Sequence, residues 1–268
     1  MRDQTDFVAQ RMLAPASDHA MIAHLEQLFA VRTAAEIWAL HVKRMADFGF
    51  DRLIYGFTRF RQNGAFGSPA NQQILTNHDP AYLEAYLASN AYRDGHMVKL
   101  AAENEGAFSW SLGAAALRTG RLTEAEKRVA ELNRRFDVVA GYAIGFREAA
   151  ARAKGGISLC AARGISQKQV DAIWQTHGRE ILVCNQCMHL RITALPDSTD
   201  GVGLTRRQRE VLEWVGHGKS VAETAAAIGI TKATAEKHLR LARAALGVET
   251  TAQAVLKASL SHQIYVSP

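Results

Sequence analysis

The chain has 268 residues, 48% of them hydrophobic and 22% charged, with a formal net charge of +6 and three cysteines. That composition supplies a core and excludes a disordered chain, and no apolar run approaches the roughly 18 residues of a membrane span. Cys160, Cys184 and Cys187 are an odd set that offers no disulfide framework, and the start MRDQTDFVAQ lacks the apolar stretch of a secretory signal, so a cytoplasmic chain with no membrane partner is expected.

In chain order, apolar residues three and four apart predict helices at 20–30, 33–48, 80–89, 123–136 and 166–190. Thr123 with Glu126, and Ser166 with Gln169, have capping-box spacing at two of these starts. Between them, LIYGFTRF (53–60), VAGYAIGFRE (139–148) and GISLCA (156–161) are rich in aromatic or branched residues and read as strands. Helices on an antiparallel sheet follow, an α+β domain over 1–190. The Pro-, Gly- and Ser-containing segment 191–203 reads as a linker. An all-α, four-helix domain over 204–268 is expected beyond it.

This last part is basic, with nine Lys and Arg against five Glu from residue 201 onward, which favours an anionic partner. Thr205 with Gln208, and Ser220 with Glu223, have capping-box spacing, and Ile228-Gly229-Ile230 supplies a tight turn before the helix that follows. On that helix Ala235, Leu239, Ala242 and Leu246 share one apolar face, while Lys232, Glu236, Arg240 and Arg243 stand opposite. Spacing alone leaves two readings of the charged face, a solvated surface or a recognition helix for the DNA major groove.

The run from Leu204 to Val255 resembles the LuxR-type helix-turn-helix signature over its whole length, through Thr205, Arg207, Val211, Leu212, Gly218, Ile228, Gly229, Ile230, Thr234, Leu239 and Gly247. Gln208 stands where that family commonly has Glu. The resemblance implies double-stranded DNA as a partner. It offers Lys232, Glu236, Lys237, Arg240 and Arg243 for groove and phosphate contacts, and Lys219 and Thr234 for the backbone at helix N-termini. One such helix per chain implies a homodimer on a two-fold symmetric operator.

The first domain resembles the acyl-homoserine-lactone-binding domain of quorum-sensing regulators, which implies that its layers are α/β/α. The resemblance implies a small-molecule effector, an acyl-homoserine lactone or an analogue, and no other cofactor or metal. Its ligand contacts fall on Tyr82, Tyr86, Asp94, Trp110 and Ser158, with Gly141 matching a family glycine on the central sheet. Tyr82 takes the place of a Trp, and Asp94 falls one residue early; another register would bring Ala81 and Ala85 there instead. Two further readings stay open, a regulator of this fold that needs no ligand and a thiol redox protein using Cys184 and Cys187. No Gly-rich phosphate loop, G-x-S-x-G elbow or paired-His metal motif speaks for an enzyme.

Overall fold

The computed structural model describes residues 18–59, 72–148, 150, 153–195 and 203–264. The chain divides into two compact units, 1–192 and 193–268. No helix among the described residues is long and apolar enough to cross a membrane.

The first unit contains α1 (Asp18–Ala30), α2 (Ala34–Asp47), β1 (Phe50–Thr58), β2 (Gln72–Thr76), α3 (Pro80–Ala88), α4 (Ala91–Asp94), α5 (His96–Glu103), β3 (Gly106–Ser109), α6 (Ser111–Arg118), α7 (Glu124–Arg135), β4 (Gly141–Gly145), β5 (Lys154–Ala161) and α8 (Gln167–Ala194). The strands form one five-stranded sheet in the order β2-β1-β5-β4-β3, antiparallel throughout. The predicted helices and strands are all present. The stretch 91–118 is richer than the sequence indicates, because α4, α5, β3 and α6 span only four to eight residues each, too few for a periodicity to develop.

Alternation along the strands sorts side chains to two helical layers. Tyr55 on β1 reaches His189 of α8 through its hydroxyl (3.0 Å), and Tyr142 on β4 stacks on Trp174 of α8 with ring centroids 3.9 Å apart. These residues face α8 and its neighbours α1 and α2. Ile54 and Ser158, a register pair one position out of phase with Tyr55, face α3 to α7 instead. Tyr82, Tyr86, Val129, Leu132 and Val138 gather on that side with Cys160. The result is the expected α/β/α sandwich.

α8 continues to Ala194, four residues into the expected linker; residues 196–202 lie outside the described residues. The second unit contains α9 (Arg206–Gly216), α10 (Val221–Ala227), α11 (Lys232–Leu246) and α12 (Thr251–Leu260). Full capping boxes open α9 at Thr205 with Gln208 and α10 at Ser220 with Glu223. Between α10 and α11, Gly229 adopts φ +69°, and Ile230 N–H returns to Ala225 O (3.0 Å). A residue with a Cβ is strained there, which is why the tight turn carries Gly. Ala235, Leu239, Ala242 and Leu246 are buried, the last three in one cluster with Val211, Leu212, Ala254 and Ala258.

Candidate ligand cavity and DNA-binding surface

Two cavities open on the α3–α7 side of the sheet. The larger, about 240 Å3, has Tyr82, Trp110 and Ser158 in its wall, together with His78, Val98, Leu117, Glu126, Val129 and Asn133. The smaller, about 50 Å3, is lined by Tyr86, Tyr92, Ile74, Gly56 and Gly156. They meet at Ile54, Val98 and Ser158, which border both. Four of the five ligand contacts expected from sequence therefore lie on one pair of adjoining cavities. The fifth departs from expectation. Asp94 ends α4 and lines neither cavity, whereas Gly95 to Val98, just beyond it, line the larger one.

α3 starts with Asp79 capping Ala81 N–H (2.8 Å) and Pro80 in the first turn, which fixes where Tyr82 and Tyr86 enter the core. The Tyr82 hydroxyl donates to Asn133 Oδ1 (3.0 Å), and its ring packs on His78 (centroids 4.6 Å) and Tyr86 (5.6 Å). Burial pushes both phenols well above their ordinary range. Burial first, and the charge of Arg52 second, push the His78 imidazole down to about 4. Trp110, at the start of α6, donates its backbone N–H to Gly141 O (3.1 Å). Its indole Nε1 is buried and has no hydrogen-bond partner among the described residues.

Sequence reading gave Glu126 only as the capping partner of Thr123, and missed His78 and Asn133. Glu126 fills both places, capping α7 while lining the larger cavity. Burial raises its pKa, but the hydroxyl and backbone N–H of Thr123, His96 Nδ1 (3.2 Å) and the charge of Lys99 outweigh this and hold the carboxyl at about 2. The charge in the wall is thus already satisfied from within the protein. Nothing in local spacing marks His78 or Asn133, because tertiary packing brings them to the cavity.

In the second unit, Lys219, Lys232, Glu236, Lys237 and Arg240 are exposed. Lys232 Nζ lies 3.9 Å from Glu236. Thr234 is half-buried and caps α11 with Thr231, its hydroxyl 2.8 Å from Thr231 Oγ1. Arg243 is half-buried and donates to Thr251 Oγ1 (3.0 Å), joining α11 to α12. The outward face of α11 therefore presents Lys232, Glu236, Lys237 and Arg240, while Thr234 and Arg243 also hold the domain together.

Cys184 is buried, and burial pushes its thiol up to about 11; burial also raises the half-buried Cys187. Both shifts oppose the thiolate that redox chemistry needs.

Residues 33–192 match the family described as "Autoinducer binding domain", and residues 202–258 match "Bacterial regulatory proteins, luxR family". The transcriptional activator protein EsaR of Pantoea stewartii subsp. stewartii is 23% identical over 201 residues, 70% of this chain and 78% of that protein. The transcriptional activator protein BjaR1 of Bradyrhizobium diazoefficiens is 38% identical over 76 residues, 28% of this chain and 31% of that one. Among solved structures, SdiA in complex with octanoyl-rac-glycerol superposes with a TM-score of 0.51 at 20% identity, covering 94% of this chain and 99% of that one, a likeness of fold; SdiA is a protein of Escherichia coli. With the first match spanning more than half of its length, the chain belongs to the LuxR-type transcription regulators that carry an autoinducer-binding domain ahead of their DNA-binding domain.

Proposed function

We propose that this regulator responds to a neutral amphipathic signal, an acyl-homoserine lactone or an analogue, held in the adjoining cavities with Tyr82, Tyr86, Trp110 and Ser158 as its contacts. The observation that carries the reading is the buried, unpartnered indole N–H of Trp110 in the wall of the larger cavity. An orphaned buried donor costs about 1–3 kcal/mol, which a ligand carbonyl would recover. Neutrality follows from the other polar groups. Tyr82 and His78 are uncharged at neutral pH, and the Glu126 charge is already matched by its donors. SdiA, a relative in fold, has been solved with octanoyl-rac-glycerol, itself an uncharged acyl amphipath. A ligand-independent regulator is the second reading, favoured by the Tyr82–Asn133 bond and by the placement of Asp94 outside the cavity wall. Mass spectrometry of small molecules released from the purified protein, against a protein-free extract of the same cells, separates the two. An enriched amphipath supports the first; none, with no heat on titrating a lactone panel or octanoyl glycerol, supports the second.

On the DNA side the proposal is a homodimer on a two-fold operator, with Lys232, Lys237 and Arg240 on each half-site and Lys219 and the N-terminus of α11 at the phosphates. Arg240→Ala should weaken operator binding by about 1–3 kcal/mol if the guanidinium reads guanine, or lower the salt slope if it meets phosphate. Salt-titrated binding with unchanged affinity and slope would mean that another face meets DNA. Sedimentation showing a monomer at full affinity would remove the dimer.

A further inference from the structure

The face of α8 opposite Trp110 carries a polar cluster that no ligand contact explains. Gln167, Asp171, Trp174 and Gly178 stand at i, i+4, i+7 and i+11, along one side of the helix. The side-chain amide of Gln167 grips the main chain of one residue at both ends. Its Oε1 accepts from Gly141 N–H (2.9 Å), and its Nε2 donates towards Gly141 O (3.2 Å). The same Nε2 lies 3.0 Å from Ser109 Oγ and 2.9 Å from Asp171 Oδ1. Asp171 Oδ1 also accepts from the hydroxyls of Ser109 (2.7 Å) and Tyr142 (3.0 Å). Burial first, then this bond to Asp171, push the Tyr142 phenol up to about 12, in keeping with a hydroxyl held as a donor.

Gly141 is also where Trp110 is seated. Its carbonyl accepts the Trp110 backbone N–H, and a Cβ placed on it would stand 3.1 Å from Trp110 Cη2 and 2.1 Å from Leu159 O. A side chain there would collide with the Leu159 carbonyl and press on the indole, so glycine allows both to close onto this residue. Trp110 therefore rests on a residue whose N–H and C=O are both fixed from behind by Gln167.

We propose that Gln167 is a positioning residue for the signal-binding indole: through Gly141 it sets the place and orientation of Trp110 in the wall of the cavity. The proposal rests on the reading that Trp110 meets the signal. Its first test needs no ligand.

The test is the indole 1H–15N resonance of Trp110 in the full-length protein, assigned by its loss in Trp110→Phe. Gln167→Met, which keeps the length of the side chain and removes both bonds to Gly141, should shift or broaden that resonance. Tyr142→Phe is the control, since it removes a bond to the same Asp171 while leaving Gly141 gripped; it should leave the Trp110 resonance in place. Should Gln167→Met fail to fold, Gln167→Glu, which can still accept from Gly141 N–H, is measured in its stead. An unmoved Trp110 signal in the folded Gln167 variant, or an equal shift in Tyr142→Phe, overturns the proposal. The second test is a double-mutant cycle by calorimetry with N-octanoyl-homoserine lactone and octanoyl glycerol. Gln167→Met should weaken binding by about five- to tenfold, the scale of one hydrogen bond, and by less than about twofold in the Trp110→Phe background. Additive losses overturn the route through Trp110. A shifted resonance in a wild type that binds neither compound supports the positioning role and counts against the ligand reading alone.

Discussion

The two faces of one sheet are filled in opposite ways. Towards α1, α2 and α8, β1, β4 and β5 present Leu53, Tyr55, Phe57, Tyr142, Ile144, Ile157 and Leu159, all buried. Towards α3–α7 the alternate positions include Ile54 and Cys160 and a run of small residues, Gly56, Gly141, Ala143, Gly145, Gly156 and Ser158. The strands are the same and the register is the same, so the difference lies only in side-chain volume. Large residues on one face lock α8 onto the sheet. Small ones on the other do two things: Gly141 and Gly145 let Trp110 and the end of α5 close onto the sheet, while Gly56, Gly156 and Ser158 border the cavities. Glycine and alanine are poor strand residues, and their concentration on one face marks where backbone and indole approach closely on β4 and where the cavities open beside β1 and β5.

That comparison predicts the largest effects on the filled face. Leu159→Ala should lower unfolding stability by about 2–5 kcal/mol, the range for a fully buried leucine whose cavity cannot collapse. Chemical denaturation measures it. A loss below about 1 kcal/mol would mean that the α8 face is as loosely packed as the other and would remove the contrast.

Acid lability is common to both faces, since His78 at the larger cavity is also held down at about 4. On the filled side, burial pushes His41 of α2 down to about 3 despite the hydrogen bond its Nε2 gives Asn185 Oδ1 (3.0 Å), and burial with the Arg44 charge pushes His24 of α1 to about 4. Their folded pKa values lie below the unfolded value near 6.5, so acid adds protons to the unfolded chain first. The stability they contribute is complete above pH 6.5 and is lost as pH falls from there towards 3 to 4. Each contributes a slope of up to about 1.4 kcal/mol per pH unit in that window. His41→Gln should flatten the pH dependence of stability between pH 6 and 4 by about that amount. An unchanged slope would show that His41 is protonated in the folded protein.

How much of this was legible in the sequence depended on how local the cause was. Helices opened by a capping pair and carried by an apolar period, such as α7, α9 and α10, could be read directly, and so could the buried set Ala235, Leu239, Ala242 and Leu246 on α11. Tyr82, Tyr86, Trp110 and Ser158 could be placed by resemblance, and they lie on the adjoining cavities. His78 and Asn133 could not, because contacts between distant segments bring them there. Asp94, offset by one residue from the family position, ends a four-residue helix and is absent from both cavity walls. The helix expected to end at residue 190 runs on to Ala194, because residues 191–194 carry no helix breaker.

The smallest expected effect sharpens the comparison most, because it separates neighbours in one strand. Ser158 lies between Ile157 and Leu159 on β5, pairs in register with Ile54 and Ala143, and borders both cavities while its neighbours are buried in the opposite face. Ser158 is half-buried and lines both cavities, so Ser158→Ala should change unfolding stability by no more than about 0.5 kcal/mol, against several for Leu159→Ala one residue away. Its consequence should fall on the signal instead. If the hydroxyl bonds the ligand head, its loss costs about 0.5–1.5 kcal/mol, a two- to tenfold weaker Kd. Denaturation and calorimetry on the same preparations read both quantities. A stability loss above about 2 kcal/mol with ligand affinity untouched would make Ser158 a packing residue like Leu159, and the open face would lose its distinction at the position where the two cavities join.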